Sequence, residues 1–296
     1  MTSINQTSIW IKNPLAIFAE NSDGGVVIKG QKIIELVPLG GSPVSSFDEI
    51  YDASDSVVLP GLINTHHHFY QTLTRAYPEA LNKELFPWLK SLYKVWAHIQ
   101  PEMLAVSTEL ALSELLLSGC TTASDHHYLF PSQLENAIDI QAEEAQKLGM
   151  RVVLTRGSMS LGEKDGGLPP QSVVQTKEQI LSDSERLIKT YHDSQEGAMT
   201  QIALAPCSPF SVTTDLMIDT AALAQQYDVR LHTHLAETID EENFCLEKFG
   251  LRTVDYLESV GWLSNRTWLA HGIHFNKQEI EKLGQNGVGI CQCPTS

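Results

Sequence analysis

The chain has 296 residues, a formal net charge of −16 and 42% hydrophobic residues. This length supports a large core and roughly two domains. The acidic balance argues against nucleic acid or an anionic membrane surface as partner, because both need clustered Lys and Arg, and leaves a small neutral molecule as the expected ligand.

The elements predicted first are short and β-prone. Ile9–Ile11, Val26–Ile28, Ile33–Val37 and Val57–Leu59 are apolar runs, and Lys29-Gly30-Gln31-Lys32 reads as a hairpin turn between two of them. A small β-sandwich domain is therefore predicted over residues 1–58. From 59 to 296 the pattern alternates. Apolar strands are predicted to end near Asn64, Ser124, Thr155, Ala205, His232, Ala270 and Cys293, with helical stretches between them. Leu104, Thr108, Ala111 and Leu115 share one helical face that stops at Gly119, and Ile180, Ser184, Leu187 and Tyr191 repeat the spacing. Thr238 and Glu241 read as a capping box. Repeated βα units predict an α/β fold, a TIM-like (β/α)8 barrel with strands 1–7 visible and the eighth missing. Completing it takes on the order of 50 further residues, at about 30 per βαβ unit, so the chain reads as the front part of a longer protein.

Histidines gather where these strands end. Leu59-Pro60-Gly61-Leu62-Ile63-Asn64-Thr65 runs into His66-His67-His68. Side chains two apart on a strand share a face, so His66 and His68 can reach one cation together, and a cation is the usual reason to crowd neutral imidazoles there. His67 faces the other way and reads as a satisfied structural histidine. Leu231–Glu237 and Trp268–His274 are two more such strand ends, and active sites of parallel barrels lie at the C-terminal ends of strands. There is no GxGxxG, GxxxxGK[ST] or GxSxG pattern, so nucleotide-cradling loops and a serine elbow are not indicated. Met1 to Asn13 has no continuous apolar stretch and no later run approaches a membrane span, which predicts a cytoplasmic protein. The five cysteines lack a CxxC pair and suggest no disulfide framework. Cys291 and Cys293, flanking Gln292 on a predicted strand, read as small buried hydrophobes.

PGLINTHHH, HTHLAET and LAHGIH together resemble the amidohydrolase superfamily, and more narrowly its aminohydrolase branch of guanine, S-adenosylhomocysteine and hydroxytriazine deaminases. HHHFYQTLTRA, LFPWLK, SGCTTASDHHYLFP, RGSMSLGEKDGGLPP and ALAPCSPFSVT look closest to purine-directed bacterial members of that branch, and the likeness runs from about Ile9 to the end. The resemblance implies one divalent metal ion, zinc with iron as the alternative, held by His66, His68 and His234 and completed by an Asp from the absent eighth strand. The strand Gln201–Ala205 carries no Lys, whereas the binuclear branch bridges two metals with a carboxylated lysine there, so a mononuclear centre is expected.

By the same resemblance Glu237 shuttles a proton to the ring nitrogen and His271 hydrogen-bonds the attacking water or the developing oxyanion. His274 is read as structural, His232 as support beneath the metal site, and His126 and His127 as either pocket lining or such support. Gln71 matches a residue that contacts the purine in guanine-deaminase relatives; an amide donates and accepts at once, which suits a purine edge. Cys207 stands where guanine deaminases have Arg, and Trp88 is read either as stacking on a planar ring or as an anchor of the core. The implied reaction is hydrolytic deamination of an amino-purine, 8-oxoguanine to urate and ammonia. Guanine, isoxanthopterin or a hydroxy-s-triazine are the alternative substrates, and an inactive metal-binding fragment is the alternative of another class. A small-molecule purine-like substrate is thus the expected partner, with no nucleic acid and no membrane; a homo-oligomer is compatible with this reading.

Overall fold

The computed structural model describes residues 7–294. They form two compact units, residues 7–62 with 195–197, and residues 63–194 with 198–294.

The first unit contains β1 (Ser8–Lys12), β2 (Ala16–Ile17), β3 (Gly25–Lys29), β4 (Lys32–Val37), β5 (Glu49–Asp52) and β6 (Val57–Val58). Four of them make a sheet in the order β4-β3-β1-β5, and β2 pairs with β6. The predicted hairpin is present: Lys29 pairs with Lys32, and Gly30 takes the left-handed φ of 57° that a two-residue hairpin turn demands. Gly25 is required for another reason, since a Cβ there would lie 1.8 Å from the Ile11 carbonyl oxygen. Alternation along β1, β3 and β4 turns Trp10, Val27 and Val37 into a small common core.

The second unit is a seven-stranded sheet in chain order, from β7 (Leu62–Asn64) through β8 (Cys120–His127), β9 (Arg151–Ser158), β10 (Thr200–Pro206), β11 (Leu231–Leu235), β12 (Thr267–His271) and β13 (Gly289–Cys291). All seven strands predicted from the sequence are there, and neighbours from β8 to β13 pair in parallel. Among the described residues β7 and β13 are the two ends of the sheet. Helices occupy the crossovers: α1 (Leu85–Trp96), α2 (Pro101–Leu117), α3 (Ala137–Leu148), α4 (Lys177–Tyr191), α5 (Thr214–Tyr227), α6 (Ile239–Phe249), α7 (Thr253–Ser259) and α8 (Lys277–Gln285). Leu104, Thr108 and Ala111 of α2 and Ile180, Ser184 and Leu187 of α4 are buried, as their spacing requires. No helix among the described residues is long and apolar enough to cross a membrane.

Parallel strands covered on both faces are buried throughout, and β11 shows how chemistry is fitted into that rule. All five residues of Leu231-His232-Thr233-His234-Leu235 are buried. The two-residue period puts His232 and His234 on one face and the two leucines on the other. Two local expectations are corrected. The strand β13 stops at Cys291, so Cys293 lies beyond it, and both cysteines are half-buried rather than core residues. The Thr238–Glu241 box is only half formed: Thr238 accepts from Glu241 N at 3.4 Å, but the Glu241 carboxylate reaches past Thr238 to the Glu237 amide.

Candidate active site

The ladder of β7 ends at Asn64, so His66, His67 and His68 lie just past the strand rather than within it. The backbone stays extended there, and His67 O accepts from His126 N at 2.7 Å, which carries the pairing with β8 one step further and preserves the alternation. Asn64 Oδ1 accepts from His66 N at 3.0 Å. The chain then turns into a short 3-10 helix at Phe69, anchored by a buried carboxylate: Asp125 Oδ1 accepts from Phe69 N and its Oδ2 from Gln141 Nε2, both at 2.6 Å. Burial pushes the Asp125 carboxyl up to about 7.

The imidazoles meet in a tight cluster. Ligand nitrogens of His66, His234 and His271 lie within 4.8 Å of one another, as do those of His66, His126 and His232, and His68 joins through a 3.2 Å contact between its Nε2 and that of His234. Their tautomers follow from their partners, because a carbonyl can only accept. His68 Nδ1 faces His126 O at 2.7 Å and His234 Nδ1 faces Cys207 O at 2.6 Å, so each carries its proton on Nδ1 and presents a bare Nε2. His232 Nδ1 donates to Trp268 O, leaving Nε2 to accept from His66 Nδ1, both at 2.8 Å; His66 Nε2 is then bare as well. The contact between His66 and His232 is thus a hydrogen bond, which places His232 as the support of His66.

Burial, reinforced by the mutual repulsion of the cluster, keeps these rings neutral. His68 and His232 are pushed down to about 3, and His66, His126 and His234 lie well below the usual range. Bare nitrogens of His68 and His234 facing each other at 3.2 Å repel unless a cation lies between them, and that separation matches the edge of a tetrahedron with Zn–N of about 2.0–2.1 Å. The donor set fits a divalent metal. His126 donates from Nε2 to Ala205 O at 3.0 Å and stacks on His234. His127 donates to Leu129 O at 2.7 Å. His67 leaves Nδ1 buried without a hydrogen-bond partner, as His126 and His127 do. His274 is exposed and contributes its backbone, donating from N to Ala236 O at 3.0 Å.

Glu237 and His271 face each other beside the cluster, with His271 Nε2 3.5 Å from Glu237 Oε2. Burial, with a smaller push from Glu241, raises Glu237 to about 8, while burial lowers His271 to about 4. Burial thus favours the uncharged form of both groups. His271 and Ala236, the residue before Glu237, both adopt left-handed φ values, 74° and 53°, a strained conformation for residues with side chains.

A cavity of about 610 Å³ opens over this pair. His66, His68, His234, Glu237 and His271 line it, and so do Gln71, Trp88 and Cys207. Trp88 also packs edge-on against Trp96 of the core. Burial pushes the Cys207 thiol up to about 12, so it presents a neutral S–H. Tyr128 and Cys293 line the cavity too. Tyr128 was not singled out in the sequence; it follows the Asp125-His126-His127 run on β8, where a buried acid at the end of an apolar strand was the available signal.

Residues 57–296 match the Amidohydrolase family. The chain belongs to the amidohydrolase family. It is 64% identical over 290 residues to an 8-oxoguanine deaminase of Pseudomonas aeruginosa, covering 97% of this chain and 65% of that relative. It is 34% identical over 253 residues to an isoxanthopterin deaminase from an unknown prokaryotic organism, covering 84% and 52%. The crystal structure of an atrazine chlorohydrolase from Arthrobacter aurescens complexed with zinc superposes with a TM-score of 0.87 at 30% identity, over 97% of this chain and 65% of that one. This amidohydrolase chain therefore spans between about half and two thirds of the length of these relatives.

Proposed function

We propose that this amidohydrolase deaminates a purine-like ring by hydrolysis, converting 8-oxoguanine to urate and ammonia. The observation that carries the proposal is the convergence of three bare Nε2 atoms, on His66, His68 and His234, beside the facing pair Glu237 and His271 in one cavity. Displacing an amino group from an aromatic ring needs an activated water, a protonated ring nitrogen and a proton for the departing ammonia.

In this reading His66, His68 and His234 hold one divalent ion, zinc before iron, with His126 O, Cys207 O and His232 fixing their ring orientations. Three neutral imidazoles with an open position suit zinc, which supplies Lewis acidity and lowers the pKa of water. Strand β10 carries no Lys, which favours a single ion. Glu237 would deliver a proton to the ring nitrogen beside the amino-bearing carbon, take one from the attacking water, pass it to the amine as the C–N bond breaks, and regain one from the hydroxyl that becomes the carbonyl. His271, neutral and packed against Glu237, hydrogen-bonds the oxygen that becomes negative. Gln71 reads the ring edge, Trp88 covers its face and Cys207 forms the wall opposite. The five free cysteines accord with a cytoplasmic setting.

The substrate assignment rests on the relative at 64% identity; the isoxanthopterin deaminase at 34% supports a second reading in which a pterin is the ring. Ultraviolet difference spectra of the zinc-loaded protein with 8-oxoguanine, guanine, isoxanthopterin and adenine decide between them. Fastest turnover of 8-oxoguanine is expected. Preference for isoxanthopterin or guanine overturns the choice of ring, and stoichiometric zinc without turnover of any of the four overturns the assignment of deaminase activity.

A further inference from the structure

We propose that Glu241 is a positioning residue, whose buried carboxylate captures the turn after β11 and thereby sets Glu237 against His271. The inference rests on the reading of Glu237 and His271 as the reacting groups, but the geometry stands without it. Glu241 lies one turn into α6, fully buried, and its Oε2 accepts from the Glu237 amide at 3.0 Å. The same carboxylate engages the Ala236 amide. An ordinary capping box would return to the Thr238 amide; here the side chain reaches one residue further, into the segment that carries the functional carboxyl.

What it captures is a turn that does not form cheaply. Ala236 sits at φ 53°, where the Cβ of an L-residue is crowded, so the conformation persists only if neighbouring bonds impose it. Glu241 imposes it from the helix side. From the other side, Leu235 O and Ala236 O accept from Gly272 N and His274 N, both at 3.0 Å. Those two donors lie within and just after the bend in which His271 and Gly272 hold φ values of 74° and 68°. One carboxylate thus supports a turn to which the His271 bend is also tied, and the 3.5 Å separation of Glu237 and His271 is the product of both attachments. Burying this acid is costly, since its Oε1 has no partner, and burial pushes Glu241 up to about 7. Helix capping alone does not require it, because Thr238 already caps the Glu241 amide.

Two conservative variants separate reach from charge. Glu241→Gln keeps the length of the side chain and an accepting oxygen; Glu241→Asp keeps the acid and withdraws it by one methylene. Amide hydrogen exchange resolved at Glu237 and His274 is the direct readout, with kcat and KM on the substrate identified above as the second. In Glu241→Asp, exchange at both amides should accelerate at least about tenfold and kcat should fall by on the order of 10²-fold, with KM within about twofold. Glu241→Gln should restore most of both. Unchanged protection in Glu241→Asp overturns the proposal, and so does equal loss in both variants or acceleration spread uniformly over the chain. Altered exchange with unaltered kcat overturns the positioning of Glu237. If the unsubstituted protein turns over no ring, the exchange measurement still decides the role of Glu241, and the failure belongs to the functional reading alone.

Discussion

The Nε2 atoms of His68 and His234 point at each other across 3.2 Å while both Nδ1 protons are committed to backbone carbonyls. Two lone pairs at that distance, on rings kept neutral by burial, describe a place prepared for a cation. Four strands supply the arrangement: the segment just past β7 provides one ring and β11 the other, while β8 and the residue after β10 provide the carbonyls that orient them.

Removing either ring should therefore remove the metal. His66→Ala and His234→Ala should each lower bound zinc from near one equivalent to below about a tenth, because each deletes one of three protein donors. Elemental analysis after dialysis checks this. A His234→Ala protein that retains a full equivalent would show that the ion is held elsewhere.

Glu237→Gln preserves shape and removes the titratable proton. Metal content should be unchanged and kcat should fall by roughly 10²-fold or more. Steady-state kinetics next to elemental analysis separates this from a loss of metal, and a kcat near that of the unsubstituted protein would take Glu237 out of the reaction.

Asp125 binds two donors at 2.6 Å, Phe69 N and Gln141 Nε2, and all three groups are buried. Asp125→Ala strands both donors, at a cost of about 1–3 kcal/mol for each group left unpaired, and frees the turn that follows His68. Chemical denaturation should show a loss of about 2–6 kcal/mol on that basis, with Asp125→Asn losing less because its oxygen can still accept from Phe69. Equal stability of Asp125→Ala would mean that the turn is held by other bonds.

Stability of the metal-free protein should peak near pH 6.5. His68, His127 and His232 are held at about 3 and His271 at about 4, all by burial, so below 6.5 the unfolded chain takes up protons that the folded one refuses, and stability falls as pH drops. Asp125 and Glu241 at about 7 and Glu237 at about 8 act in the opposite sense: the folded protein keeps protons that the unfolded chain releases, so stability is lost as pH rises through 7 to 8. Between about 4.5 and 6.5 the two sets oppose each other, and the histidines outnumber the carboxyls. Each fully buried group contributes a slope of up to about 1.4 kcal/mol per pH unit. Thermal melts of the chelated protein from pH 4.5 to 8.5 test this, and a continuous rise in stability from 6.5 to 8.5 would contradict the raised carboxyls.

Sequence alone determined the α/β alternation, the number of strands in the large sheet and the gathering of histidines at strand ends. These are local properties: a period of two places His232 and His234 on one face, and the apolar runs before Asn64, His234 and His271 mark where strands must stop. Even Gly30 announced its hairpin, since the left-handed turn is a demand on one residue. Tertiary structure decided which nitrogen of each imidazole is bare, because that depends on carbonyls from other strands, Trp268 O beneath His232 and Cys207 O beneath His234. It decided that His66 is held by a hydrogen bond to His232 and that Cys293 leaves the strand for the cavity. Glu241 is the clearest case. In the chain it is one acid among several at the start of a helix, an ordinary capping partner for Thr238. Only burial and the strained turn at Ala236 make its carboxylate the group that holds Glu237 in place, and neither strain nor burial is written in the spacing of residues.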